Sequence, residues 1–246
     1  MRIYLACTGS IESNKSKYVL ESFYSGEKLC SKLLNIYGKE NFLLDSGAFS
    51  YMNGQKCTKE IVLGYLDRYI DFINRYDIKY FFELDVDSVL GLDFVEECRR
   101  KLERKTNKRC IPVWHKSRGI EYWKKMCERY DYIAIGGFVI HEIKPVEYKL
   151  VKKMVDYAYY KGVKVHGLGF TKTKILENEN WRFYSVDSSS WISSASRGQK
   201  LQIFKNGCIE NVNDEKRKVK ANISKIASFN FEEWCKYQKY MDRKNW

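Results

Sequence analysis

Short apolar runs alternate with segments of helical periodicity along the whole 246-residue chain. Strands that alternate with helices pair in parallel through right-handed crossovers, so the class is α/β. Seven or eight such units favour a (β/α)8 TIM-type barrel, with an open doubly wound sheet as the alternative. The candidate strands are Ile3–Cys7, Phe42–Leu44, Tyr80–Leu84, Cys110–Trp114, Tyr132–Ile135, Val163–His166, Phe183–Val186 and, as a weaker eighth, Leu201–Phe204.

The intervening segments carry apolar stripes, and the chain contains no linker that would divide it. Ile61, Tyr65, Tyr69 and Phe72 repeat at helical spacing and are predicted to face the core. Only two prolines occur, and 44% of the residues are hydrophobic, which suits one well-filled domain. We therefore predict a single barrel domain over residues 1–246, with a helical C-terminal extension from about residue 207 to 246.

Charge and cysteine usage indicate the kind of partner and the cell compartment. Lys and Arg total 44 against 31 Asp and Glu, a net +13, which favours nucleic acid; lysine-rich surfaces in a low-GC genome are the alternative. The eight cysteines form no C-x-C or C-x-x-C pair and are scattered mostly within apolar runs, so we predict reduced core thiols and no metal site. No cofactor is expected. With no signal-peptide pattern and no apolar stretch of membrane-spanning length, a cytoplasmic protein without membrane association is expected.

Polar residues directly follow the predicted strands. In a barrel, the carboxyl ends of the strands form the active-site face. At least three carboxylates and two imidazoles are therefore expected to converge on one rim. In chain order the strand-end residues are Asp45, Ser46, Asp85, Asp87, His115, Gly136, Gly137, His166 and Asp187.

Each of these residues also has a purely structural interpretation. Asp45 can belong to a turn, and Asp187 can cap the following helix. His115 and His166 can line a pocket or fill the core. The recurrence of Asp at several strand ends nevertheless favours a shared site, because capping does not require one residue type around a ring.

Four segments, in order, resemble the guanine transglycosylase family. Asp45–Ser50 (DSGAFS) resembles that family's D-S-G-G-F-Q segment, which also follows an apolar strand. Ile133–Phe138 is similar to its strand-plus-Gly-Gly segment at the base pocket. Val165–Gly169 resembles its H-x-x-G-x-G stretch, slightly shortened, and Tyr184–Ser188 resembles the segment that ends in its nucleophilic Asp.

The resemblance implies a role for each matching residue. Asp187 corresponds to the nucleophile and Asp45 to the general acid/base. Asp85 corresponds to the residue that binds the purine edge, with Asp87 as its rival. The remaining expected base-binding residues are Ser46, Gly136, Gly137, His166 and His115, the last of which stands where the family usually has Gln.

Two departures from the family pattern bear on the substrate. Cys208 and Cys235 cannot build the Cys₃His zinc site typical of tRNA-acting members, and the chain is considerably shorter. Both features look like the compact phage and bacterial branch that inserts 7-deazaguanines into DNA. We therefore expect DNA as the partner and a free 7-deazaguanine base as co-substrate. A zinc-free tRNA enzyme, a non-catalytic nucleic-acid-binding barrel and a small-molecule barrel enzyme remain alternatives.

Overall fold

The fold is built around one eight-stranded sheet in which every pairing is parallel. The computed structural model describes residues 1–10, 15–48, 50, 58–212 and 222–244. The predicted α/β class is therefore confirmed. The strands are β1 (Arg2–Ala6), β2 (Val19–Ser22), β3 (Phe42–Asp45), β4 (Tyr80–Phe81), β5 (Val113–Trp114), β6 (Tyr132–Ile135), β7 (Lys164–Gly167) and β8 (Ser185–Ser188).

The sheet is curled, and consecutive strands are paired neighbours except β4 and β5, while β1 also pairs with β8. The strand order is therefore β4-β3-β2-β1-β8-β7-β6-β5. Just beyond β4, Phe82 forms a parallel bridge with Ile111, two residues before β5. The Ile111 amide donates to the Phe81 carbonyl at 2.8 Å, and the Glu83 amide donates to the Ile111 carbonyl at 3.1 Å.

Helices flank the sheet and bury the apolar stripes that the sequence predicts. In α2 (Lys59–Tyr76), Tyr65, Tyr69 and Phe72 are buried as predicted, whereas Ile61 is exposed, so the prediction is wrong for that residue. None of the helices in the described ranges is both long and apolar enough to cross a membrane. They are α1 (Glu27–Tyr37), α2 (Lys59–Tyr76), α3 (Asp87–Leu90), α4 (Leu92–Thr106), α5 (Gly119–Arg129), α6 (Tyr148–Tyr160), α7 (Thr173–Asn178), α8 (Ser190–Gly198) and α9 (Ile223–Asp242).

Alternate residues of each strand point to opposite faces of the curled sheet. On β1, Ile3 and Leu5 pack with the surrounding helices. Tyr4 and Ala6 belong instead to a smaller inner cluster with residues of other strands, such as Phe82. Side chains of this second set therefore meet across the concave face, and the polar residues at their carboxyl ends share one rim.

Two sequence predictions are wrong. The weaker eighth strand, extended to Leu201–Lys205 (β9), does not join the main sheet but pairs antiparallel with Cys208–Val212 (β10). Asn206 and Gly207 both have positive φ (51° and 74°), the geometry of a two-residue hairpin turn. The missing eighth strand is Val19–Ser22. The extension from about residue 207 is accordingly not helical throughout, because a strand precedes α9.

The hairpin and α9 are fastened to the sheet by buried polar side chains. Asn230 accepts a hydrogen bond from the Gln202 amide at 2.7 Å, and Gln238 donates to the Ile3 carbonyl at 2.6 Å. The seven described cysteines are free; six are buried, but Cys7 is exposed, so the expectation of core thiols fails there. Cys57 lies outside the described residues.

Candidate active site

Three carboxylates lie at the ends of β3, β4 and β8. Asp45 is the last residue of β3, Asp187 lies within β8, and Asp85 follows β4. Burial raises the pKa of Asp45, and the negative charges of Asp85 and then Asp187 raise it further, to about 7. Because Coulombic coupling of this kind requires proximity, Asp85 and Asp187 both lie near Asp45.

A tight turn orients Asp45. The Gly47 amide donates to Asp45 Oδ2 at 3.2 Å, and Gly47 adopts φ +74°, where a side chain would be strained. A Cβ there would also lie only 2.6 Å from the Tyr24 Cβ. Ser46 is fully buried, and its carbonyl accepts from the Tyr65 hydroxyl at 2.7 Å. The turn interpretation of Asp45 is thus compatible with a site, since the turn aims the carboxylate. Phe49 of this segment lies outside the described residues.

One carboxylate oxygen of Asp187 has two close nitrogen neighbours. Its Oδ1 accepts from the Gly169 amide at 2.7 Å and lies 3.1 Å from His166 Nε2. Helix α8 begins after Ser189, which makes no side-chain capping bond. The alternative that Asp187 merely caps the next helix is therefore wrong.

His166 is completely buried on the concave face, beside Asp187. Its Nδ1 lies 2.6 Å from the Ser185 Oγ, which in turn lies 2.6 Å from the Tyr132 hydroxyl. Of the two interpretations of this histidine, the core position is the one observed. Its ring contacts Asp187 directly.

His115 lies between two carboxylates. Its Nε2 is 2.9 Å from Asp85 Oδ2, and its Nδ1 is 3.3 Å from Glu142 Oε2. Burial alone lowers the pKa of His115, but the hydrogen bond and charge of Asp85, together with Asp87, raise it to about 9. At neutral pH, His115 is therefore an imidazolium that donates to both neighbours.

The Gly136-Gly137 pair follows β6 and packs against this histidine. A Cβ on Gly136 would lie 2.6 Å from His115 Cε1, and one on Gly137 would lie 2.8 Å from Glu142 Oε2. The Gly136 amide is already bonded to the Trp114 carbonyl at 2.9 Å. These glycines thus let the His115 side chain approach the backbone of β6.

Asp87 belongs to a buried ion-pair network. Arg118 donates from Nε to Asp87 and from Nη1 to Glu83, both at 2.8 Å. Burial alone raises the pKa of Asp87, but its hydrogen bond and ion pair with Arg118 bring the net value below the usual range. Glu83 is fully buried and also accepts from the Val113 amide at 2.8 Å. Since Asp87 is engaged by Arg118, Asp85 is the strand-end carboxylate that faces Asp45.

Ser22 and Cys7 escaped the sequence analysis. Ser22 ends β2 as the register partner of Asp45, and its hydroxyl is a hydrogen-bond partner of that carboxyl group. Its neighbour Glu21, on the helix-facing side of β2 with Val19, is 3% exposed, and burial raises its pKa. The run Tyr18–Leu20 before it carries the same signal as the other strand ends. Cys7 follows β1, and partial desolvation and the Glu21 and Asp187 charges raise its pKa to about 11. A thiol of this kind is not a nucleophilic thiolate at neutral pH.

Within the described ranges, no three His, Cys, Asp or Glu side chains form a group that could hold a metal ion. No protein-family model matches the sequence, and a search of curated proteins finds no significant match.

Proposed function

We propose that the protein is a glycosyltransferase of the guanine transglycosylase type, which exchanges guanine in DNA for a free 7-deazaguanine base. The observation that carries the proposal is the contrast between two neighbouring carboxylates. Asp45 has its pKa raised to about 7 by burial and by the Asp85 and Asp187 charges. Asp187 instead accepts from the Gly169 amide and contacts His166 Nε2 through the same oxygen, which leaves its other oxygen without these contacts. One carboxyl able to hold a proton and a second carboxyl group to attack the sugar are what double-displacement at a glycosidic carbon needs.

In the proposed reaction, Asp187 attacks C1′ of the target nucleotide and the C1′–N9 bond breaks. The bonding electrons leave with guanine, which takes a proton from Asp45. The incoming base then gives its N9 proton to Asp45 and attacks C1′, releasing the Asp187 carboxylate. In this proposal Asp85 accepts from the ring N–H and exocyclic amine of guanine, and His115, bonded to Asp85 Oδ2, holds that carboxylate in position.

We further propose that the curled sheet closes as a (β/α)8 barrel. The parallel bridge between Phe82 and Ile111 supports closure, because it joins the two ends of the eight-strand order. In a closed barrel the ends of β3, β4 and β8 surround one mouth. That arrangement agrees with the effect of the Asp85 and Asp187 charges on the pKa of Asp45.

A nucleic-acid substrate is supported by charge and by the loop after β6. The net charge of +13 favours phosphate binding. Val139 and Ile140 are 65% and 50% exposed, and a Cβ on Gly169 would lie 2.2 Å from Val139, so the loop borders the Asp187 site. When a target base leaves the helix, the faces of its neighbouring bases become exposed. Exposed aliphatic side chains at this position suit contact with those faces.

A trapping experiment tests the chemistry. Oligonucleotide incubated without incoming base should form a denaturant-resistant adduct with the protein, and Asp187→Asn should form none. Asp71→Asn, an exposed position on α2, is the matched control and should react as the wild type does. An adduct that survives Asp187→Asn would assign the nucleophile elsewhere. Salt-sensitive binding without any adduct would favour the non-catalytic alternative.

A labelling experiment tests the substrate. Labelled guanine or a labelled 7-deazaguanine is offered with matched DNA and tRNA, and the label should enter DNA, most readily where it is flexible or unpaired. Label in tRNA alone would reverse the DNA assignment and leave the Asp45 and Asp187 chemistry standing.

A further inference from the structure

We propose that His166 is a positioning residue for Asp187 and that Ser185 and Tyr132 fix its tautomer, so that Nε2–H points at the carboxylate. The inference rests on the proposed role of Asp187 as nucleophile. The three supporting side chains form a chain of short contacts: Tyr132 hydroxyl to Ser185 Oγ at 2.6 Å, Ser185 Oγ to His166 Nδ1 at 2.6 Å, and His166 Nε2 to Asp187 Oδ1 at 3.1 Å.

Strand register places this chain on the concave face. Ser185 and Asp187 are two residues apart on β8 and so point the same way. His166 of β7 is the direct register partner of Ser185. Ala134 of β6 is the partner of His166, and Tyr132 lies two residues before it on the same face. The four side chains therefore lie on one face of three adjacent strands, β6, β7 and β8.

The donor and the acceptor of each hydrogen bond in this chain of contacts can be assigned consistently. An ionised Asp187 only accepts, so the proton between it and His166 belongs to Nε2. In a neutral imidazole Nδ1 then accepts, and Ser185 must donate its one hydroxyl proton to it. Tyr132 must in turn donate to Ser185. Burial raises the pKa of Tyr132 well above its usual value, which keeps this hydroxyl protonated as a donor.

The consequence for Asp187 is geometric. Gly169 N–H and His166 Nε2 both meet Oδ1, one from a loop and one from the sheet. Two donors in different directions fix the plane of the carboxylate and assign Oδ2 as the oxygen that bonds to C1′. His166 and Ser185 are both 0% exposed, so water cannot replace either contact without opening the inner face.

Nitrogen NMR of the substrate-free protein tests the tautomer without any activity. The sequence has three histidines, so His115→Gln and His141→Asn assign the His166 signals by difference. At pH 7.5, His166 should carry its proton on Nε2 and none on Nδ1. In Ser185→Ala the Nδ1–H form should become populated, because the donor to Nδ1 is gone. An Nδ1–H tautomer in the wild type, or a Ser185→Ala spectrum identical to it, would overturn the proposal.

Adduct kinetics test the consequence for Asp187. His166→Phe keeps a ring but loses both nitrogens and should slow adduct formation about 10–100-fold, the usual cost of losing an orienting partner. His166→Gln can still present an N–H near the Nε2 position and should stay within about fivefold of the wild type. Equal rates for His166→Phe and the wild type would refute the positioning role. A wild type that forms no adduct would instead overturn the proposed function, while the tautomer result still decides whether the chain of contacts exists.

Discussion

Ionisation of Asp45 should lower the free energy of unfolding of the protein. Its pKa is about 7 in the folded protein against an ordinary value of 3.8, because burial and the charges of Asp85 and Asp187 disfavour the anion. At 1.36 kcal/mol for each tenfold change in acidity, full ionisation costs the fold about 4 kcal/mol. The Gly47 N–H donor already acts within that value and remains available to an amide oxygen.

The sign of the pH dependence follows from linkage. A carboxyl with a raised pKa takes up its proton preferentially in the folded state, so its contribution is complete below about pH 4 and is lost as pH rises through 7. Asp45→Asn has no such dependence. The stability of this variant relative to the wild type should therefore increase by about 2–3 kcal/mol between pH 5 and pH 8.5.

Urea unfolding of both proteins at pH 5, 7 and 8.5 measures this difference, with Asp71→Asn as the exposed control that should show no trend. The change of this stability difference with pH does not depend on any effect of the substitution on packing, because such an effect is the same at every pH. The same Asp45→Asn protein should lose about 10²–10⁴-fold in base exchange, the usual contribution of a positioned acid/base. If the difference in stability between Asp45→Asn and the wild type does not change with pH, the raised pKa of Asp45 is refuted. If Asp45→Asn is in addition less stable by the same amount at every pH, a purely structural role of Asp45 in the turn is favoured.

Three further expectations concern residues around the site. Gly47→Ala should destabilise the protein by about 2–4 kcal/mol in urea unfolding, since φ is +74° and the new Cβ would lie 2.6 Å from a neighbouring side-chain carbon; Gly64→Ala, on an exposed face of α2 with nothing within 4 Å, should stabilise it by about 0.5–1 kcal/mol. Arg118→Met should cost about 3–5 kcal/mol, because Asp87 loses its guanidinium partner and buried Glu83 keeps only Arg99, and adding Glu83→Gln should recover part of that loss. Because the pKa of His115 is raised to about 9, its stabilising contribution is present below pH 6.5 and lost as pH rises through 9, so His115→Gln should flatten the wild-type loss of stability over that range.

The parallel strands and the polar residues at their ends follow from local sequence pattern. The two errors in the strand prediction concern one short strand that was missed and one hairpin that was assigned to the main sheet. Val19–Ser22 was missed although the apolar run Tyr18–Leu20 followed by Glu21 resembles the predicted run Phe42–Leu44 followed by Asp45. Leu201–Lys205 has an equally good strand pattern, but the Asn206-Gly207 turn returns the chain on itself. That dipeptide is a strong hairpin signal, and it outweighs the position of the segment after seven strand–helix units.

The contacts within the site were less predictable than its members. Asp187 and His166 are recognisable as strand-end residues, but their contact depends on the relative register of β7 and β8, which no local pattern specifies. Asp85 and Asp87 are equivalent in the sequence, and Arg118, 31 residues after Asp87, decides between them by pairing with Asp87. Contacts between residues far apart in the sequence thus give chemically similar strand-end residues different roles.

The proton on Asp45 follows first from burial and then from the crowding of negative charge. Asp187 is bonded to the Gly169 amide, and Asp85 is bonded to His115. After burial, the charges of these two carboxylates raise the pKa of Asp45 to about 7. A nucleic-acid phosphate brought to the same rim adds further negative charge and raises that pKa again. Substrate binding would thus favour the protonated Asp45 that the departing base needs first, and release of that proton leaves the base required for the second half of the exchange.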